Sequence, residues 1–190
     1  MKNLSRVRTI AMAAGLAAFS AVVQLVHIGY QSPQFGMWID IVAVGWIIAL
    51  FLFGFRISMM VSIIGALMIT LFAPDTWLGA SMKLVATLPT VIILSAWLLF
   101  KKKKNTFYSN KINLIIPLVI SLIIRSALVL PINYYYAIPI WTGLSSAKAM
   151  QIIPWYVIVL FNIIQGIIEV VFAWLLVFKF RLSRYANWHK

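Results

Sequence analysis

The sequence has no cysteine, which excludes disulfides, thiol nucleophiles and cysteine-ligated metals. Acidic residues are nearly as scarce: Asp40, Asp75 and Glu169 are the only three in 190 residues. With two histidines, His27 and His189, far apart in the chain, that is too few for a multi-carboxylate metal enzyme. His27 has no evident second ligand and reads as a pocket or interface residue. There is no GxxxxGK(S/T) phosphate loop, so the chain does not hydrolyse ATP by that route, and no HExxH, GxSxG or paired-aspartate motif. No catalytic constellation is visible, and an enzyme is not expected.

Apolar residues make up 64% of the chain and charged residues 10%. A soluble domain of this length cannot hide so much apolar surface. The expected class is an all-α integral membrane protein, one domain over residues 1–190 with six spans of roughly 20 residues each. The first span follows a basic start without a convincing cleavage site, so it reads as a retained helix.

The formal charge is +13, from 16 basic residues, most of them at the ends of apolar runs. Membrane topology explains that clustering best, anionic lipid second, and nucleic acid is not expected. The spans are expected at Thr9–Ile28, Met37–Phe53, Ile57–Phe72, Leu78–Phe100, Ile112 towards Tyr136, and Ile152–Phe178. Gly29–Gly36 and Pro139–Gln151 are expected as loops, and Pro74 and Asp75 as the stop after the third span. Pro89 should bend the fourth helix, and Pro131 should interrupt the fifth. With a cytoplasmic N-terminus, 13 of the 16 basic residues lie inside, among them Lys101–Lys104, so both termini are expected in the cytoplasm of a multi-pass cell-membrane protein.

Polar groups at membrane depth are costly and tend to be functional. They concentrate between Arg125 and Glu169. Asn162, Gln165 and Glu169 share one helix face beside Gly166, either as interhelical glue or as the wall of a polar pocket. Helical rise puts Arg125 and Glu169 within about 5 Å of the same depth, so an ion pair is possible. Its role is either a buried structural pair or proton coupling through Glu169. Asp40 and Lys83, near outer helix ends, either pair or face the pocket mouth. Asn133 precedes Tyr134, Tyr135 and Tyr136. Successive helical residues turn by about 100°, so at least one tyrosine faces inward, where it can stack on a flat ring. Near the N-terminus, Ala11–Gly15, Ala13–Ala17, Ala14–Ala18 and Ala17–Ala21 have small-xxx-small spacing, suited to packing within the chain or to docking of another membrane subunit.

Together, IDIVAVGWIIALFLFG, NYYYAIP and VLFNIIQGII resemble the substrate-binding S component of an energy-coupling factor (ECF) vitamin transporter, closest to the riboflavin type. Chain length, six helices and the alanine-rich first helix fit as well. The resemblance implies capture of a vitamin from outside in a pocket formed by loops and helices 4 to 6. It implies a membrane coupling subunit and two cytoplasmic ATPase subunits as partners, with ATP bound only by the latter. Small residues on helix 1, here Ala11, Ala14, Gly15 and Ala18, would form the docking face. Asn133 and Asn162 would hydrogen-bond the flavin, with Tyr134, Asp40 and Lys83 as further candidates. Gln165 stands where riboflavin members often carry lysine; an amide still bonds a ring carbonyl. The alternative from another class is a stand-alone secondary transporter or exporter coupled through Glu169.

Overall fold

The computed structural model describes residues 2–26, 28–32, 37–72 and 77–185. His27, Pro74, Asp75 and the tail with His189 and Lys190, all singled out in the sequence, lie outside the described residues. Helix α1 spans Lys2–Val26 and is followed by a small hairpin of β1 (Gly29–Gln31) and β2 (Trp38–Asp40). Helices α2 (Val44–Phe53), α3 (Phe55–Phe72) and α4 (Trp77–Phe100) follow. A 3-10 turn at Asn105–Ser109 leads to α5 (Ile112–Ile132), which runs through a π turn at Asn133–Ala137 into α6 (Ile138–Thr142). Helix α7 (Ser146–Ile152) precedes α8 (Trp155–Trp174) and a π turn at Leu175–Lys179.

Four stretches are helical, long and apolar enough to cross a membrane: Val7–Val26, Trp77–Phe100, Ile112–Thr142 and Trp155–Lys179. Two shorter apolar helices, Val44–Phe53 and Phe55–Leu71, lie among them. These helices make the chain a multi-pass membrane protein. Helix α2 is buried from Val44 to Leu52, as expected of a helix that is apolar all round. Its ten residues cover only about 15 Å of a hydrocarbon core of roughly 30 Å.

Several expected boundaries are corrected. The second span was expected to be helical from Met37, but Trp38–Asp40 is a strand, paired antiparallel with Gly29–Gln31, a stretch expected as loop. Glycine at 29 permits that pairing, because a Cβ there would collide with the Ile39 carbonyl. Helix α1 already includes residues of the basic head, and α3 begins at Phe55, two residues early. The fifth span continues past Tyr136 to Thr142, because the π turn shifts the register and Pro139 falls in the first turn of α6, where its missing N–H costs no bond. The expected loop after it contains α7, whose start is capped by Ser145 accepting from the Lys148 amide at 3.4 Å. The last span starts at Trp155 rather than Ile152, because Pro154 holds Ile153 extended.

One end of the bundle is closed by the segment between α4 and α5. Asn105 donates to the Leu50 and Phe51 carbonyls at the end of α2, at 2.9 and 3.2 Å. Tyr108 is fully buried there; its hydroxyl donates to the Leu94 carbonyl at 2.7 Å, and Trp174 donates to the Tyr108 carbonyl at 2.8 Å. Burial raises the Tyr108 pKa, which keeps the phenol a donor. Arg56, Lys101–Lys104, Lys111 and Lys179 are exposed at this end. The hairpin lies at the other.

Candidate functional site

A cavity of about 360 Å³ opens at the hairpin end. Helix α4 contributes Met82, Lys83 and Ala86; α5 with its π turn contributes Arg125, Val129, Asn133 and Ala137. Phe161, Asn162, Gln165 and Glu169 come from α8, and Trp38 and Asp40 from the hairpin. The volume is within the usual range for small-molecule sites, roughly 300–1,000 Å³.

Arg125 and Glu169 lie deepest. Glu169 is 14 residues, or about 21 Å, along α8 from its start. The two residues are 2% and 0% exposed and are joined by Arg125 Nη1 to Glu169 Oε2 at 2.7 Å. An ion pair taken out of water is tolerable only when its remaining hydrogen-bonding capacity is met. Here Arg125 Nε donates to Asn162 Oδ1 at 3.3 Å, Gln165 Nε2 donates to Glu169 Oε1 at 2.9 Å, and Thr87 donates to Glu169 Oε2 at 3.4 Å. Gly166 makes room for this arrangement. A Cβ at 166 would stand 2.5 Å from Leu122 Cδ2 and 3.4 Å from Arg125 Nη1.

Higher up, Lys83 forms an ion pair with Asp40, whose other carboxylate oxygen accepts from the Val42 amide at 2.9 Å. Gln165 holds the Asp40 backbone by both of its polar groups: Oε1 accepts from the amide at 2.9 Å, and Nε2 donates to the carbonyl at 2.8 Å. Two cations and two anions thus line the cavity in matched pairs, which favours a guest without net charge.

Asn133 and Asn162 both face the cavity. Each Nδ2 donates to the carbonyl four residues back, Val129 or Ile158, at 2.9 Å. Of the two ends of a side-chain amide only the nitrogen can donate to a carbonyl, so each amide orientation is set and each Oδ1 is turned away from its own helix. Asn162 Oδ1 meets Arg125; Asn133 Oδ1 has no donor among the described residues and can accept from a guest.

Of the residues singled out in the sequence, Asp40, Lys83, Asn133, Asn162 and Gln165 are brought together in the cavity wall. Tyr134 is not. It packs among Val129, Ile138, Ala149, Ile153 and Ile158, and its hydroxyl donates to the Ile153 carbonyl at 2.7 Å. The inward tyrosine therefore ties the π turn to the segment before α8. Tyr135 is exposed, and Tyr136 meets Ser81 at 3.4 Å. Ala11, Ala14, Gly15 and Ala18 all lie on the exposed side of α1, and a Cβ at Gly15 would meet nothing within 4 Å. Ala17, Ser20, Ala21 and Val23 form the opposite, buried side, where Ser20 bonds the Val42 carbonyl and the Trp46 indole at 3.0 and 2.9 Å. The small-residue stripe therefore divides into a packed face and a free face.

Sequence reasoning missed Trp38, Phe161 and Trp141, aromatic residues of the wall, and Thr87, the hydroxyl partner of Glu169. Trp38 and Asp40 alternate with Ile39, a period of two that marks a strand, but three residues are too short to stand out from a helical reading. Among the described residues no group of His, Asp and Glu is placed to hold a metal ion.

No family model matches the sequence, and no curated protein matches it. A solved structure of the S component of a bacterial ECF transporter superposes with a TM-score of 0.70 over 98% of this chain and 99% of that one, at 20% sequence identity. The chain has the fold of an S component. At that identity the likeness concerns the fold alone.

Proposed function

We propose that the chain is the substrate-binding subunit of an ECF-type transporter, capturing an uncharged vitamin, riboflavin first, from outside for ATP-driven uptake. The observation that carries this reading is the cavity: framed by α4, α5, α8 and the hairpin, lined by aromatic side chains, amides and two matched ion pairs, and set in an S-component fold. Pockets of this kind take up a small guest, with apolar walls for affinity and a few polar groups for orientation. Asn133 and Asn162 are the proposed direct contacts, with Lys83 and Asp40 at the upper wall.

In this reading α3 and the four longer helices cross the membrane, and α2 completes a sixth span together with the residues that lead into it from β2. Both termini lie in the cytoplasm, and the cavity faces outside. The cluster of exposed lysines and arginines at the end opposite the cavity supports that orientation. The exposed face of Ala11, Ala14, Gly15 and Ala18 is the proposed seat of a membrane coupling subunit, which would bring two cytoplasmic ATPase subunits and their ATP. The chain itself would act as a binding protein rather than an enzyme. Coupling through Glu169 alone is less well supported, because both of its carboxylate oxygens are held.

The test is to purify the protein and record its absorbance. A stoichiometric flavin spectrum, with uptake that requires separate ATPase subunits, supports the reading. Proton-driven flux by this chain alone in liposomes overturns it.

A further inference from the structure

Gln165 has little left to offer a guest. Its two N–H groups are given to the Asp40 carbonyl and to Glu169 Oε1, and its oxygen accepts the Asp40 amide. A side-chain amide that bonds both the N–H and the C=O of one strand residue does what a neighbouring strand does in a ladder. The hairpin needs such a grip, since two strands of three residues each are marginal without packing against other elements. Asp40 is the residue gripped. It closes β2, is 7% exposed, and has one carboxylate oxygen on the Val42 amide and the other on Lys83. Gln165 therefore fixes Asp40, and Asp40 fixes the Lys83 ammonium, a wall group with two N–H donors that no other described residue takes.

We propose that Gln165 is a positioning residue: it fastens the β1–β2 hairpin to α8 and, through Asp40, holds Lys83 towards the ligand, without contacting the ligand itself. The role given to Lys83 rests on the vitamin-site reading above; the fastening of the hairpin does not.

The absence of cysteine makes the test direct, because introduced thiols take label at chosen sites only. Tyr30→Cys on β1 and Tyr156→Cys on α8 replace exposed residues outside the cavity wall. Nitroxide labels at both sites in the full chain, without ligand, report the hairpin-to-helix distance by pulsed electron paramagnetic resonance. The otherwise unaltered chain should give one narrow distance distribution. Gln165→Met has a similar length and lacks the amide, and should broaden the distribution. It should also speed riboflavin release about tenfold, the loss expected when roughly two net hydrogen bonds no longer hold the hairpin. Asn133→Ala should weaken riboflavin binding and leave the distribution narrow. A folded Gln165→Met protein with a distribution as narrow as that of the parent overturns the proposal. If that variant does not fold, Gln165→Leu, which is smaller and likewise lacks the amide, decides in the same way. Broadening in a protein that takes up no riboflavin upholds the fastening and removes the vitamin reading.

Discussion

Glu169→Gln is the most revealing single change, because it removes a charge and almost no volume. In the unaltered protein the Glu169 carboxylate receives Arg125 at 2.7 Å, Gln165 at 2.9 Å and Thr87 at 3.4 Å, and both partners of the ion pair are at most 2% exposed. With glutamine at 169, the guanidinium stays buried without a counter-charge, and Asn162 Oδ1 at 3.3 Å is too weak a substitute. Breaking one side of a buried ion pair costs about 3–5 kcal/mol, because the orphaned charge remains desolvated. For a chain of this size each kcal/mol moves the melting temperature by about 2–4 °C, so the expected drop is about 6–20 °C. The assay is thermal unfolding of the detergent-purified protein, read by fluorescence or by loss of the monodisperse gel-filtration peak. The double variant Arg125→Gln with Glu169→Gln should recover most of the loss, since removing both charges removes the desolvated one. A drop below about 2 °C in the single variant, or a double variant worse than the single, would refute the view that the pair is a structural ion pair.

Asn162→Ala should weaken riboflavin binding by about 1–3 kcal/mol, the cost of leaving buried polar groups unpaired, and isothermal titration checks it; unchanged affinity would remove Asn162 from the site. Ala14→Leu or Ala18→Leu should abolish co-purification with a membrane coupling subunit while riboflavin binding survives, because the added side chains project from the exposed face of α1. Normal co-purification would contradict the docking assignment. Gly166→Val should lower the melting temperature, since a Cβ there already stands 2.5 Å from Leu122 Cδ2 and two further methyl groups would press on Arg125. The cost expected for overpacking is about 1–3 kcal/mol, and the same unfolding assay reads it.

The long apolar helices were legible because hydropathy and basic flanks are local properties. Trp77–Phe100 was placed to within one residue. The boundaries that moved are those where a longer-range effect competes with a local one. Trp38–Asp40 is apolar enough to continue a helix, but its partner strand Gly29–Gln31 lies seven or more residues away and is visible only once the two are paired. Pro139 ordinarily signals a stop, yet the π turn before it re-registers the helix, and no pattern in NYYYAIP announces that turn.

Within the cavity the division is similar. Composition and spacing alone determined that this is a membrane protein, that Asn162, Gln165 and Glu169 share a face, and that Arg125 reaches the depth of Glu169. Hydropathy decides the first, and helical period and rise decide the other two once the helices are drawn. Only the tertiary structure decided what each group touches. It gave Gln165 to the Asp40 backbone and Tyr134 to the Ile153 carbonyl, and it turned one side of the α1 stripe inward and the other outward. A side chain chooses among partners that are equally near in chemistry and far apart in sequence, and that choice is made only when the helices and the hairpin pack together.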